Sequence, residues 1–556
     1  MVAYLKDKRV QYGCLGVLIL CVFLIYWLFS RQYTGPAYLS DEIGYLSKAA
    51  AFAGYPVDMA SSWHGGYSLI LSPLFVLFSD PYIIWQSIMV LNAILWACSF
   101  VLLFYLLRKC FPEKNFWLIW AAVAISAIYP SWITMSGYAF STPGFTFFYM
   151  LSIIALLKTD TSKVLNILPH SVLVGFLYWI HPTGLAVIVA SFLVISVIAW
   201  NKRVFISLVV HTTMLIIMIV AYKLGVHEWL NTIMTPEGYT ASNHYGDIAR
   251  VLGSIFNLAF WERWLSIFLG QISYLLIASF GLAYLALAGM WDRLKGVYSA
   301  NSSSVQEPIV IINTTVLFVF LSVLGIVSMG SLSFASASFL RTDYLIYGRY
   351  SEMVLLPLLG IGFLSSWRFK QFFKSALITL LSALLITLYA NKTDIDSFNN
   401  LVNIQSFWPQ AVFSQASFIT WFTIGALGII IVGLLRRKMF VFLMIPLFLV
   451  CIYNQNIWHK DILSSYSKPT GLVELVRSSF ETGTLLGFDP IMVKQASGFQ
   501  KERFDLYSYY FFNYNYRRMA PEQWLQTGEG PYLTYRPEVF NDAEDVSIIA
   551  KEVRSG

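Results

Sequence analysis

Asp41 and Glu42 stand side by side in the segment RQYTGPAYLSDEIGYLSKAAAFAGYPVDMASSWHGGYS, directly after the first long apolar run. Paired carboxylates can take the proton of a hydroxyl nucleophile, because such a base acts only as the new bond forms and depends on placement more than on resting basicity. The same pair can be simply an acidic first turn, stabilised by the positive end of a helix macrodipole. Ser40 offers an N-cap and Gly54 a stop, so the spacing predicts a short helix in which Asp41, Tyr45 and Lys48 share one face. Ile43, Leu46 and Ala50 share another, which suits a helix lying in the membrane interface with that side down. Much later come Arg341 and Arg349, interleaved with Tyr344, Tyr347 and Tyr350. Their planar forks suit phosphate oxygens, and Arg349 opens a helix whose free amides favour anions. Arginine and tyrosine together also form the anchoring belt at headgroup depth. His64 before Gly65-Gly66, and His181 at the end of an apolar run, each offer an imidazole or a structural contact. Gln271 and Tyr274, one turn apart, could hydrogen-bond a ligand or tie helices together.

Those residues must be positioned by a membrane scaffold. The 556 residues are 57% hydrophobic and 17% aromatic, and only 12% are charged. Mean hydropathy is +0.64. At about 20 apolar residues per crossing, about thirteen spans fit, near 12–29, 81–107, 116–133, 143–157, 165–180, 183–200, 204–222, 266–289, 309–328, 350–366, 375–390, 416–435 and 439–453. The expected fold is all-α and polytopic over 1–453, with the loop 30–66 as the catalytic one. Short loops carrying Lys6, Lys8, Arg9, Arg108, Lys109, Lys114, Arg436, Arg437 and Lys438 are denser in positive charge than the loops between them. The positive-inside rule therefore puts the N-terminus in the cytoplasm and the C-terminus outside. Residues 454–556 hold no span. There GLVELVRSSF reads as helix, TLLGFDP and PYLTYRP as strands, and DAEDVSIIAKE as a second amphipathic helix, a small extracytoplasmic α/β domain.

Several functions are disfavoured. The net charge of +7 is dispersed through loops and makes no nucleic-acid patch. The five cysteines are scattered without metal-ligand spacing. No Walker or dinucleotide-binding glycine loop is present. Acids avoid the centres of the spans, where an ion-coupled transporter or flippase of lipid-linked sugars would place them. Asn391-Lys392-Thr393 matches a glycosylation sequon, a weak three-residue signal.

Five stretches carry a family resemblance: Asp41-Glu42 with Tyr45 after the first span; WHGGYSLILSP from Trp63 to Pro73; YWIHPTGL from Tyr178 to Leu185; LGQISYLLIASFGL from Leu269 to Leu282; and RTDYLIYGRYSEMVLLPLLGIG from Arg341 to Gly362. In these the chain resembles the C-type glycosyltransferase superfamily. Its members take a sugar from a polyprenyl-phosphate carrier on the outer side of the membrane, and include protein O-mannosyltransferases, aminoarabinose transferases and cell-wall arabinosyltransferases. The resemblance implies an inverting, single-displacement transfer with Asp41 as general base and Glu42 as its substitute. It implies Arg341, Arg349, His64 and Lys48 around the donor phosphate, and Tyr45, Tyr347, Gln271, Tyr274 and His181 around the substrates. The donor would be a polyprenyl-phosphate sugar, and the acceptor a glycan, lipid or protein at the outer face of a bacterial cytoplasmic membrane. Cofactors are not required; a divalent metal is compatible but not demanded where two arginines face the phosphate. The chain departs from the pattern at Ser141-Thr142, where many members hold another acid, and at His181-Pro182, where arginine often precedes the proline. A second carboxylate would then come from Glu42 or Asp58. A lipid-linked glycan ligase or polymerase is the neighbouring alternative, disfavoured by the short loops after the tenth span.

Overall fold

A computed structural model describes residues 7–36, 39–57, 63–159, 163–234, 248–299, 307–337, 340–393, 418–435, 439, 446, 449, 453, 471–489, 507–527, 531–533 and 548–549. The first helices are α1 (Lys8–Ser30), α2 (Leu39–Phe52), α3 (Gly66–Leu77), α4 (Pro81–Cys110), α5 (Phe116–Ala127), α6 (Pro130–Met135), α7 (Thr142–Leu157), α8 (Leu168–Ile180), α9 (Gly184–Lys202) and α10 (Phe205–Val220). Helix α10 runs through a π-helical turn, Ala221–His227, into α11 (Glu228–Met234). There follow α12 (Ile248–Ser254), α13 (Leu258–Ala278), α14 (Leu282–Ser299), α15 (Glu307–Ala335), α16 (Thr342–Leu345), α17 (Arg349–Glu352), α18 (Leu355–Leu364), α19 (Phe369–Ala390) and α20 (Phe418–Leu434).

Among the described residues five helices are long and apolar enough to cross a membrane, or six if one bent pair is a single span. That pair is α13 and α14, which meet at 104°. Hydropathy alone reads 266–289 as one straight span, because the break at Ser279–Gly281 falls among apolar residues. The run 116–133 is likewise divided, where Tyr129 leads into Pro130 at the start of α6. The span expected at 439–453 lies mostly outside the described residues.

Helix α1 packs on α4, α4 on α7, α7 on α8, and α8 on α9 and α10; α15 then bridges α9 to α13, which packs on α19. Buried aromatics hold the first group together. Trp96 lies 5.2 Å from Trp132 between ring centroids, Tyr26 lies 5.8 Å from Trp96, and the Tyr26 hydroxyl donates to the Ala127 carbonyl at 3.0 Å. A polar seam joins α8, α9 and α10: His170 Nε2 and Ser191 Oγ are 2.7 Å apart, and His211 Nδ1 and Ser171 Oγ 2.7 Å. Such interhelical bonds contribute about 0.6 kcal/mol each in an apolar medium. On the outer side of α19, Leu381, Leu384, Leu385 and Leu388 are exposed, a stripe that suits lipid contact.

Toward the C-terminus α21 (Gly471–Ser479) precedes β1 (Leu485–Phe488), β2 (Asn515–Arg518), α22 (Pro521–Thr527), β3 (Tyr532–Leu533) and β4 (Ile548–Ile549). The strands form a parallel sheet in the order β2-β1-β3-β4. The segment DAEDVSIIAKE, expected as helix, holds β4 instead, where β-branched Ile548 and Ile549 pair with Tyr532 and Leu533. Residues 507–514 reach the segment joining α3 to α4: the Tyr509 hydroxyl donates to the Pro81 carbonyl, Asn513 Nδ2 to the Ser79 carbonyl at 3.1 Å, and Phe512 sits edge-on to Tyr55 and Phe75.

Candidate active site

Helix α2 carries the acidic pair. It ends in a Schellman arrangement, Tyr55 N–H to the Ala50 carbonyl at 3.1 Å and Gly54 N–H to the Ala51 carbonyl at 3.0 Å, with Gly54 at φ +91° as a left-handed stop requires. The interfacial placement expected for α2 does not hold. Ile43, Leu46 and Ala50 are buried, but so are Glu42, Tyr45, Ser47 and Lys48 on the other faces. Helices α3 and α11 pack against it, and the segment 136–141 caps it by two side-chain bonds. Glu42 Oε1 accepts the Ala139 N–H at 2.9 Å, and the Tyr45 hydroxyl donates to Ser141 Oγ at 3.0 Å. An enclosed helix can hold its acids only if each is hydrogen-bonded or ion-paired.

Asp41 is ion-paired. Its Oδ2 lies 2.6 Å from Nη2 of Arg349, whose guanidinium sits 4.3 Å above the Phe140 ring. Burial opposes the arginine's charge, yet Tyr347, Asp41, Tyr350 and Tyr45 outweigh it and hold Arg349 protonated well beyond its ordinary range. The turn α17 that delivers Arg349 is anchored at both ends. At one end Gly348 lies against Tyr274; a Cβ there would stand 1.9 Å from Tyr274 Cε1, so only glycine allows the approach. At the other, buried Glu352 accepts hydrogen bonds from Tyr129 at 2.9 Å, Tyr274 at 2.6 Å and Ser131. Two elements distant in sequence, the start of α6 and α13, therefore converge on one carboxylate of α17. Glu352→Ala leaves those hydroxyls facing a void. At about 1–3 kcal/mol for each unsatisfied buried group, we expect a loss of several kcal/mol, read as a lowered unfolding midpoint of the full chain in detergent. Glu352→Gln, which keeps an acceptor oxygen, should lose less.

The other candidates fall into distinct settings. Arg341 is held by Asp343, Nε to Oδ1 at 2.9 Å and Nη2 to Oδ2 at 2.7 Å, and lies 4.5 Å over Tyr344. Its fork, expected on phosphate, is filled by a neighbour two residues away. Lys48 is buried and donates to the Trp63 carbonyl, with no carboxylate partner among the described residues. Burial lowers its pKa to about 7. His64 Nδ1 donates to the Tyr178 carbonyl at 2.6 Å, and its ring lies 4.8 Å from Tyr222 on the π-helical turn, whose hydroxyl accepts from Gly65 N–H at 3.1 Å. Burial pushes His64 down to about 3, so it offers no positive charge to an anion. Tyr274 is engaged by Glu352. The Tyr347 ring packs at a tilt against both Phe334 and Tyr350, with centroids 4.6 Å apart in each pair. His181 and Gln271 are buried beside Tyr350. Asp58 lies outside the described residues. Among the described residues no group of three His, Cys, Asp or Glu is placed to hold a metal. A cavity of about 310 Å³ lined by Cys110, Leu285, Met290, Ile361 and Arg368 opens at the far end of α4 and takes no part in this arrangement.

The sequence reading missed Glu352, Phe140 and Ser141 as parts of the site. Glu352 follows Arg349 by three residues, the only local signal; its hydroxyl partners lie on other elements.

No family model matches the chain, and no curated protein matches it. Solved structures similar to it include ArnT from Cupriavidus metallidurans bound to undecaprenyl phosphate, at 12% identity over 93% of this chain and 87% of that one, with a TM-score of 0.48. The Archaeoglobus fulgidus oligosaccharyltransferase in the apo form is similar at 11% identity over 91% of this chain and 65% of that one, with a TM-score of 0.40. The arabinosyltransferase EmbB from Mycobacterium smegmatis is similar at 12% identity over 79% and 42%, with a TM-score of 0.35.

Proposed function

We propose that the chain is an integral membrane glycosyltransferase that moves a sugar from a polyprenyl-phosphate donor to a hydroxyl acceptor, a glycan, lipid or protein, at the extracytoplasmic face, by a single inverting displacement. The observation that carries this reading is the 2.6 Å contact between Asp41 and Arg349. It brings together in one buried place a carboxylate that can take a proton and a guanidinium that suits a phosphate, from segments far apart in the chain. In the reaction the acceptor oxygen attacks the anomeric carbon, Asp41 takes its proton, and the phosphate departs with the electrons of the broken bond. As the donor arrives, Arg349 turns from Asp41 to the phosphate and leaves the carboxylate facing the acceptor. Lys48, one helical face away, completes the anion's setting; Arg341 shapes the loop through Asp343.

The test is release of polyprenyl phosphate with transfer of labelled sugar by the full chain in proteoliposomes, together with photo-crosslinking of an isoprenoid phosphate probe. Transfer, with crosslinks in α2 and α17, supports the reading; absence of both overturns it.

Lys48 adds a pH dependence whose sign is fixed. In the unliganded site it loses its proton as pH rises through about 7, so a phosphate that needs the ammonium binds less well above that pH. Donor affinity should fall by roughly tenfold per pH unit there. Lys48→Met should flatten the profile between pH 6 and 8, and an unchanged slope in that variant would remove Lys48 from the phosphate site. The same group makes stability rise with pH between about 7 and its ordinary value of 10.5, because the unfolded chain then binds the extra proton.

A further inference from the structure

Three buried nitrogens around Tyr350 have no hydrogen-bond partner among the described residues: Nε2 of His181, Nε2 of Gln271 and Nε of Arg349. Each belongs to a side chain only 2% exposed. An unpaired donor in a dry interior costs on the order of 1–3 kcal/mol, so three in one neighbourhood point to a ligand rather than to packing. Tyr350 is what they share. The His181 ring centroid lies 4.8 Å from that of Tyr350. Gln271 and the Tyr350 ring both border Gly330, where a Cβ would stand 3.8 Å from Tyr350 Cδ2 and 3.5 and 3.9 Å from the two polar atoms of the Gln271 amide. Arg349 precedes Tyr350 in the turn α17.

Their neighbours fix which way these groups act. His181 Nδ1 lies 2.8 Å from the Thr183 hydroxyl and accepts the Thr183 backbone N–H at 3.3 Å; with Nδ1 the acceptor of both, the neutral ring carries its hydrogen on Nε2. Burial first, and then His64 and Arg349, keep that ring neutral. The orphaned atom of Gln271 is its amide nitrogen, and Nε of arginine always bears a hydrogen. The cluster presents donors, with a guanidinium among them.

We infer that the glycosyl group of the donor lies against Tyr350 with acceptor oxygens, hydroxyl or carboxylate, on His181, Gln271 and Arg349, and that a sugar presenting a protonated amine at this position is rejected. An ammonium has three hydrogens to donate and no lone pair. Here it would leave these three donors unmet and shed its hydration, while the carboxylate beside Arg349, that of Asp41, is already held by the guanidinium at 2.6 Å. The glycosyl-transfer reading supplies the identity of the ligand; the polarity of the subsite stands on the orphaned nitrogens.

Matched pairs of short-chain polyprenyl-phosphate sugars, identical except for a hydroxyl or an ammonium at one ring position, test this with the full chain in detergent. Binding is measured by competition and turnover by phosphate-lipid release. At the position facing the subsite the hydroxyl member should bind at least about tenfold more tightly, the effect of one unmade buried hydrogen bond. Gln271→Glu puts an anionic acceptor among the donors and should shrink that preference to less than about threefold. The readout is a ratio within one preparation, so partial loss of folded protein does not move it. Equal binding of both members at every position, or an unchanged ratio in Gln271→Glu, overturns the inference. Hydroxyl-selective binding without turnover retires the transfer reading and keeps the subsite. Turnover without selectivity does the reverse, and binding of neither member overturns both.

Discussion

Asp41→Asn is expected to lower the turnover of glycosyl transfer by about a thousandfold, within the range of 10²–10⁴ that a positioned general base contributes. Asparagine keeps the shape of the side chain and an oxygen to accept from Arg349 Nη2, so the 2.6 Å contact has a neutral substitute. What it loses is the ability to take the acceptor's proton. Donor affinity should stay within about threefold or improve, since the guanidinium no longer has a competing anion beside it. If Asp41 served only to balance Arg349 and the first turn of α2, removing its charge would lower stability, as losing one member of a buried pair does, and leave turnover alone. Initial rates at saturating donor, with the unfolding midpoint of the same preparation, separate the two. A lowered midpoint with near-normal turnover would remove Asp41 as base. Glu42 cannot stand in for it from its present position, because its Oε1 holds the Ala139 amide of the capping segment.

How much of this could be read from the sequence varies with how local each cause is. Gly54 announced the end of α2, and the structure stops the helix there by a left-handed turn. The fate of Arg341 was also within reach: Asp343 lies two residues away, and a short ion pair was the simpler partner for that fork. Arg349 was picked out by the resemblance of YGRY, since nothing near it in the chain says that Asp41 is its partner. What the sequence leaves open has tertiary causes. His64 in its loop could meet an anion or make a structural contact; a carbonyl from the end of α8 and an aromatic ring from the π-helical turn enclose it. For Tyr274 the sequence allows a ligand contact or a tie between helices, and the hydroxyl ties α13 to Glu352. Helix α2 has an apolar face and a polar face, which by pattern belongs at an interface; only the arrival of α3, α11 and the 136–141 segment turns its polar face inward as well.

Removing Arg349 should have the largest effect on donor binding. Arg349→Ala takes away the phosphate's buried cation and leaves Asp41 without its ion-pair partner. Breaking a buried pair from one side costs about 3–5 kcal/mol, most of it from the charge left behind. The Asp41 side chain is 12% exposed, so water relieves part of that, and we expect the unfolding midpoint to fall by less than the full penalty implies. Donor affinity should drop by about a hundredfold, in line with 2–5 kcal/mol for truncating one partner of a buried charged pair. Acceptor affinity, measured at saturating donor, should change much less. Arg349→Lys separates charge from geometry. An ammonium restores the positive charge but not the planar fork, nor the stacking on Phe140; donor affinity should recover only in part. Two further results discriminate sharply. The double variant Asp41→Asn with Arg349→Ala should be more stable than Arg349→Ala alone, because the stranded carboxylate is gone. An arginine that merely anchored a helix at the membrane surface would show no such coupling, and its loss would not rank donor above acceptor.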